Sequence, residues 1–225
     1  MKILVIGFGA RAEELIAQFP PKLDITHMDS APSDQNTVTG YDVVFDLNYG
    51  QGVSTPGAYD RFTGTLVVGG VCTPLVSMTA FDVLQPDTLI GMNLLPTFIS
   101  REVKEWSFLN DKSRKAGDQL ATALGWTFLE VDDRVGMVTP RIILQIINEA
   151  CYTLQEGTAT IEDIDNAMKL GTNYPYGPFE WADRIGLDHL VDLFEALVME
   201  DSERYKICPL LMDKYWREET FYPKT

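Results

Sequence analysis

From residue 2 to residue 131 short apolar runs alternate with helical patterns, and then the alternation stops. That change of pattern constrains the fold more than any other feature of the chain. Lys2–Ile6 is a near-continuous apolar run, as expected of a strand covered on both faces. Residues 10–19 follow with Leu15, Ile16 and Phe19 at helical spacing, and Pro20-Pro21 stops them. Further strands are expected at residues 23–28, 42–47, 65–68, 88–92, 103–108 and 126–131. A short helix is expected at 79–84 and a longer one at 111–124, stopped by Gly125; residues 30–40 are polar and without pattern. Strand and helix in alternation predict an α/β, Rossmann-like, doubly wound and mostly parallel sheet.

After Asp132-Asp133 nothing reads as a strand. Residues 140–156 carry Ile142, Ile143, Ile146, Ile147, Ala150, Cys151 and Leu154, an apolar stripe wider than one surface helix needs. Thr160 is a good N-cap with Asp163 three residues on, and Gly171 is placed to end that helix. Pro178 suits the first turn of a short helix ended by Gly186. Asp188 is placed to cap a helix through Met199, and Pro209 to open a last one through Glu219. The boundary lies near Arg134, giving a nucleotide-type domain over 1–134 and an all-helical domain over 135–225.

The 225 residues carry a net charge of −15, which opposes DNA, RNA or an anionic membrane as a partner. Cys72, Cys151 and Cys208 are far apart and form no C-x-x-C pair, so neither a zinc site nor a disulfide framework is indicated. Reduced thiols and the lack of a membrane-length apolar stretch point to the cytoplasm.

Gly7-Phe8-Gly9-Ala10-Arg11-Ala12 lies directly after the first strand and opens the first helix. A phosphate needs this arrangement: a tight turn, a second glycine for close backbone approach, and the positive end of a helix. Ala12 takes the third glycine position, which only packs helix on strand. Asp29, at the tip of the second strand, is placed to accept ribose hydroxyls. Ser30 follows it and no arginine does, which favours NAD over NADP. The alternative is a Rossmann-like scaffold that keeps its turn glycines for geometry alone. Arg11 reads as an exposed helix-surface side chain.

A dehydrogenase acting on an alcohol usually needs a base that titrates near neutrality. Of the two histidines, His27 falls inside the second strand as a packed or edge residue, and His189 falls in the first turn of a helix. Neither follows a later strand of the sheet, where such folds hold their chemistry.

Asn148-Glu149-Ala150, the run from Glu162 to Gly171, Tyr174-Pro175-Tyr176-Gly177-Pro178-Phe179-Glu180 and Asp183-Arg184-Ile185-Gly186-Leu187-Asp188 are similar throughout to the C-terminal domain of 3-hydroxyacyl-CoA dehydrogenases. Arg204-Tyr205 and Pro209-Leu210-Leu211 continue the likeness. The resemblance implies an NAD domain before it, a 3-hydroxyacyl-CoA as substrate, and a homodimer formed through the helical domains.

Against that family the first half departs in several places. The family's long helical excursion after the second strand, which helps grip CoA, is reduced to residues 30–40. Its catalytic segment reads H-F-F-N-P with a glutamate twelve residues after the histidine. Here Gly91-Met92-Asn93-Leu94-Leu95-Pro96 places Asn93 at the histidine and Pro96 at the asparagine, while Glu105 keeps the glutamate. Thr73, in Val71-Cys72-Thr73-Pro74, keeps the hydroxyl of the family's N-T-S-S serine, and Pro140 replaces a further asparagine. Glu105 reads either as a functional group or as a solvated carboxylate on an edge strand. Two readings follow: an NAD-dependent oxidoreductase with a degenerate site, or a catalytically inactive nucleotide-binding or assembly homologue.

Overall fold

The computed structural model describes every residue except 33–34, 50–56, 82–87 and 224–225. The chain forms two compact units, Met1–Met137 and Val138–Thr225.

The first unit is built on a sheet of seven strands among the described residues: β1 (Lys2–Ile6), β2 (Asp24–Met28), β3 (Val43–Asp46), β4 (Thr65–Gly69), β5 (Thr88–Met92), β6 (Val103–Phe108) and β7 (Thr127–Glu130). Their order is β2-β1-β3-β4-β5-β6-β7, and every neighbouring pair is parallel except β5 with β6. Ile3, Leu4, Val5 and Ile6 are all fully buried, as the unbroken apolar run of β1 requires. Alternate residues serve opposite faces. Ile3, Val5, Phe45, Val67, Ile90 and Trp106 share a core with Ala12 and Leu15 of α1 (Gly9–Ile16) and Leu120 and Leu124 of α3 (Asp111–Leu124). Leu4, Ile6, Val44, Leu66, Val68 and Leu89 pack with Leu75 and Met78 of α2 (Leu75–Phe81) and with Tyr59 and Phe62.

Local chemistry sets most element ends. The Asn110 side chain accepts the Ser113 N–H at 2.9 Å and starts α3, and Gly125 ends it with φ 68°. The helix expected at 79–84 begins earlier, at Leu75, and residues 82–84 lie outside the described set. Its start is set from a distance: the Asp133 carboxylate accepts the Leu75 and Val76 N–H groups at 2.8 and 3.0 Å. The patternless stretch 30–40 ends in a 3₁₀ turn over Gln35–Gly40, because Val38 is fully buried there.

The second unit holds α4 (Thr139–Gln155), α5 (Ile161–Thr172), α6 (Pro178–Ile185), α7 (Leu187–Glu200) and α8 (Pro209–Trp216). Ile143, Leu144, Ile147, Ala150 and Cys151 form the buried stripe of α4, while Ile142 is exposed. Thr160 caps α5 by accepting the Asp163 N–H, but Gly171 does not end it: the helix runs to Thr172, and Asn173 takes the left-handed conformation at φ 57°. Asp188 likewise lies inside the first turn of α7, with Gly186 at the cap. Buried Asp165 caps α6 by accepting the Phe179 and Glu180 N–H groups and also takes the Tyr222 hydroxyl. Among the described residues, no helix is long and apolar enough to cross a membrane.

Candidate active site at the carboxyl ends of the strands

Strands β1 to β5 run parallel, so the turns that leave them share one edge of the sheet. β1 lies between β2 and β3, and the strand order reverses at its carboxyl end, where open α/β sheets bind ligands. The glycine turn stands there. Gly7 is buried at φ 145°, and a Cβ on it would meet Leu47 Cβ at 2.9 Å. Its N–H donates to the Met28 carbonyl at 2.9 Å, and its carbonyl lies 2.7 Å from His27 Nε2. Gly9, at φ 69°, has nothing within 4 Å of where a Cβ would sit, so the start of α1 is open to a ligand. Phe8 is 70% exposed between them, and Ala12 is fully buried against the sheet.

Asp29 is exposed just past β2, with its carbonyl held by Asn48 Nδ2 at 3.1 Å. His27 is exposed on β2, the edge strand, and serves the glycine turn through its ring. Arg11 departs from the sequence expectation: it is half-buried, and its guanidinium donates to the Leu47 carbonyl at 2.5 Å.

The structure adds a pair that sequence reasoning missed. Asp46, buried at the end of β3, accepts the Tyr59 hydroxyl at 2.5 Å and the backbone N–H groups of Asn48 and Tyr49 at 2.9 and 3.1 Å. Burial pushes the Asp46 carboxyl above its ordinary range, against the pull of these bonds and of the Arg11 charge. The Tyr59 phenol is pushed up as well, by burial first and then by Asp46. Tyr59 lies thirteen residues beyond Asp46, outside any local motif.

Beyond β5 the antiparallel register with β6 continues for one more pair. Gly91 faces Ser107 and Met92 faces Trp106, and the Asn93 N–H donates to the Glu105 carbonyl at 3.0 Å. Directly opposed residues of an antiparallel pair project from the same face. Asn93 and Glu105 are 3% and 7% exposed. The solvated-edge reading of Glu105 therefore fails, because β7 covers the far side of β6. Thr73 is half-buried in the turn after β4, two residues before α2. That turn is tied to the end of β5 by the Gly70 N–H, which donates to the Met92 carbonyl. In the helical unit, His189 is half-buried in the first turn of α7.

A glycine turn at the switch point of a doubly wound sheet, joined in one chain to a five-helix unit, defines a two-unit α/β protein of the Rossmann type. Residues 136–224 match the model of the 3-hydroxyacyl-CoA dehydrogenase C-terminal domain and belong to that domain family. The chain is 41% identical over 132 residues to a probable 3-hydroxybutyryl-CoA dehydrogenase of Bacillus subtilis, covering 56% of this chain and 46% of the relative. It spans about half the length of the curated relatives it matches. Two solved structures share the fold along the whole chain. Mycobacterium tuberculosis FadB2 superposes with TM-score 0.77 at 17% identity, covering 100% of this chain and 99% of that one. The (S)-3-hydroxybutyryl-CoA dehydrogenase PaaH1 of Ralstonia eutropha does so with TM-score 0.72 at 21% identity and the same coverage.

Proposed function

We propose that the chain is a 3-hydroxyacyl-CoA dehydrogenase-like protein that binds NAD and has lost the general base of its site. The observation that carries this reading is Asn93 standing across from buried Glu105, where a histidine–glutamate dyad would need an imidazole. An amide has no basic lone pair near neutrality, so it cannot take the proton of a substrate hydroxyl. The names of the curated relatives support a short 3-hydroxyacyl thioester as substrate.

The residues at the glycine turn fit a dinucleotide. Gly7, Phe8 and Gly9 would offer backbone N–H groups to a pyrophosphate, buried Ala12 keeps α1 close to the sheet, and exposed Asp29 would take a ribose. NAD, when bound, accepts a hydride from the carbon bearing the substrate hydroxyl. Thr73 would hold that hydroxyl, and Glu105 is the one carboxylate of the former dyad left to bear on the proton.

The same family reading supports a homodimer through the helical unit. Ile146, Ala150, Ile164, Ala167 and Met168 line an open, mostly apolar cavity of about 390 Å³, and Ile142 is 53% exposed on the same helix, α4. Apolar surface of this kind is stabilised when removed from water.

The test is NADH formation from 3-hydroxybutyryl-CoA at saturating NAD, together with calorimetry of NADH binding. Tight NADH binding with slow turnover supports the proposal. Turnover on the order of 10 per second or faster overturns it. Tight binding with no turnover on any hydroxyacyl-CoA favours the second reading, an inactive nucleotide-binding homologue, which Asn93 also supports.

A further inference from the structure

We propose that Arg11 is the side chain that holds the phosphate groups of a ligand at the switch point of the sheet. The inference rests on the dinucleotide reading of the glycine turn and names the residue that makes such binding feasible in so acidic a chain.

Arg11 is the third residue of α1, yet its guanidinium is folded back toward the sheet rather than into solvent. Its bond to the Leu47 carbonyl, 2.5 Å, spans the gap between the carboxyl ends of β1 and β3. The acceptor is itself held in place. Leu47 donates its N–H to the Ile6 carbonyl at 2.8 Å, and the turn behind it is fixed by the Asp46 carboxylate through Asn48, Tyr49 and Tyr59. Asp46 also attracts the guanidinium through space. Arg11 is thus held at the mouth of the crevice by fixed groups on β3.

Charge assigns the ligand chemistry. The chain carries −15 overall, and Asp29 and Asp46 border this end of the sheet. A pyrophosphate approaching the glycine turn meets repulsion from both carboxylates unless a cation offsets them. A guanidinium presents five donors in a planar fork that suits phosphate oxygens, and it stays charged at every working pH. It stands beside the amino end of α1, whose open N–H groups favour the same anion.

The experiment is calorimetric titration of the full chain with NADH and with adenosine, for wild type, Arg11→Met and Arg11→Gln. Gln can still donate to the Leu47 carbonyl and keeps that tether without the charge. Both variants are expected to bind NADH about 10- to 100-fold more weakly, the range of one charge-assisted hydrogen bond. Adenosine, which has no phosphate, should be held within about twofold, and the salt dependence of NADH binding should become shallower in both. If Arg11→Gln binds NADH like wild type, the inference is overturned while the dinucleotide reading stands. Equal loss of NADH and adenosine also overturns it, because Arg11 then only supports the turn. A wild type that binds no NADH overturns the dinucleotide reading and this inference together.

Discussion

Asn93 and Glu105, twelve residues apart in sequence, are direct cross-strand neighbours, joined by a 3.0 Å backbone hydrogen bond and both buried. The spacing that places a histidine beside a glutamate in the dehydrogenase family is therefore kept as geometry although the base is gone. The Asn93 side chain has taken up a structural task instead: its Oδ1 accepts the Leu95 N–H at 3.3 Å and shapes the turn leaving β5.

Asn93→His should accordingly recover little activity. A positioned general base contributes about 10²- to 10⁴-fold in rate, but the change also removes the acceptor for Leu95, and Pro96 leaves no amide side chain two positions further on. A rise in NADH formation of less than about tenfold over wild type is expected. A rise near a thousandfold would mean that the missing imidazole was the sole defect, and Glu105→Gln in that background should then abolish the gain.

What was legible in the sequence was local. β5, β6 and α3 fall where their apolar runs and caps put them, because Asn110 and Gly125 act on neighbouring residues. What was hidden depends on partners far along the chain. The start of α2 is set by Asp133, 58 residues from Leu75. The inward turn of Arg11 depends on where β3 ends, 36 residues on. Whether Glu105 faces water depends on β7 pairing beside β6, which no pattern within β6 announces. Gly171 and Asn173 both tolerate left-handed backbone, so the choice of helix end between them was not encoded locally.

The two glycines of the turn should separate by function. Gly7→Ala places a Cβ 2.9 Å from Leu47 Cβ at φ 145°, so both strain and overpacking apply, and a loss of about 2–4 kcal/mol is expected. Gly9→Ala meets nothing within 4 Å and costs only its positive φ, about 1–2 kcal/mol, yet its methyl faces the space a pyrophosphate needs. Urea midpoints should rank Gly7→Ala as the less stable variant. NADH titration should show Gly9→Ala weakened while its fold remains intact. Undiminished NADH affinity in Gly9→Ala would place the ligand elsewhere.

Asp46 gives the stability of the sheet unit a pH dependence of known sign. Its carboxyl is raised in the folded state, chiefly by burial, so the native chain holds that proton more tightly than the unfolded chain. The associated stabilisation is full below the unfolded value and is lost as pH rises through the folded one. Asp46→Asn removes the titration and keeps an oxygen for the turn. Wild type should therefore gain stability relative to Asp46→Asn as pH falls from 8 toward 4, measured as the difference in urea midpoints. A difference that moves the other way would show that the bonds from Tyr59, Asn48 and Tyr49 outweigh burial.

In the helical unit the same kind of buried carboxylate holds the structure together without titrating a site. Asp165 is 1% exposed and accepts three hydrogen bonds: from the Phe179 N–H at 2.8 Å, the Glu180 N–H at 3.0 Å and the Tyr222 hydroxyl at 2.9 Å. The first two satisfy the amino end of α6, and the third ties down the segment after α8. Asp183 accepts the Phe221 and Tyr222 N–H groups at 2.8 Å each, and the Phe221 ring packs 4.6 Å from Phe179. Asp165→Ala strands two helix N–H groups and the phenol, and about 3–5 kcal/mol of stability should be lost. Tyr222→Phe removes one bond in a half-buried position and should cost about 1–2 kcal/mol. Asp165→Asn should fall between them, because an amide offers one acceptor oxygen where the carboxylate offers two. Urea midpoints of the three variants read this order directly. Equal losses for Asp165→Ala and Tyr222→Phe would mean that the tail, rather than the α6 cap, carries the stabilisation.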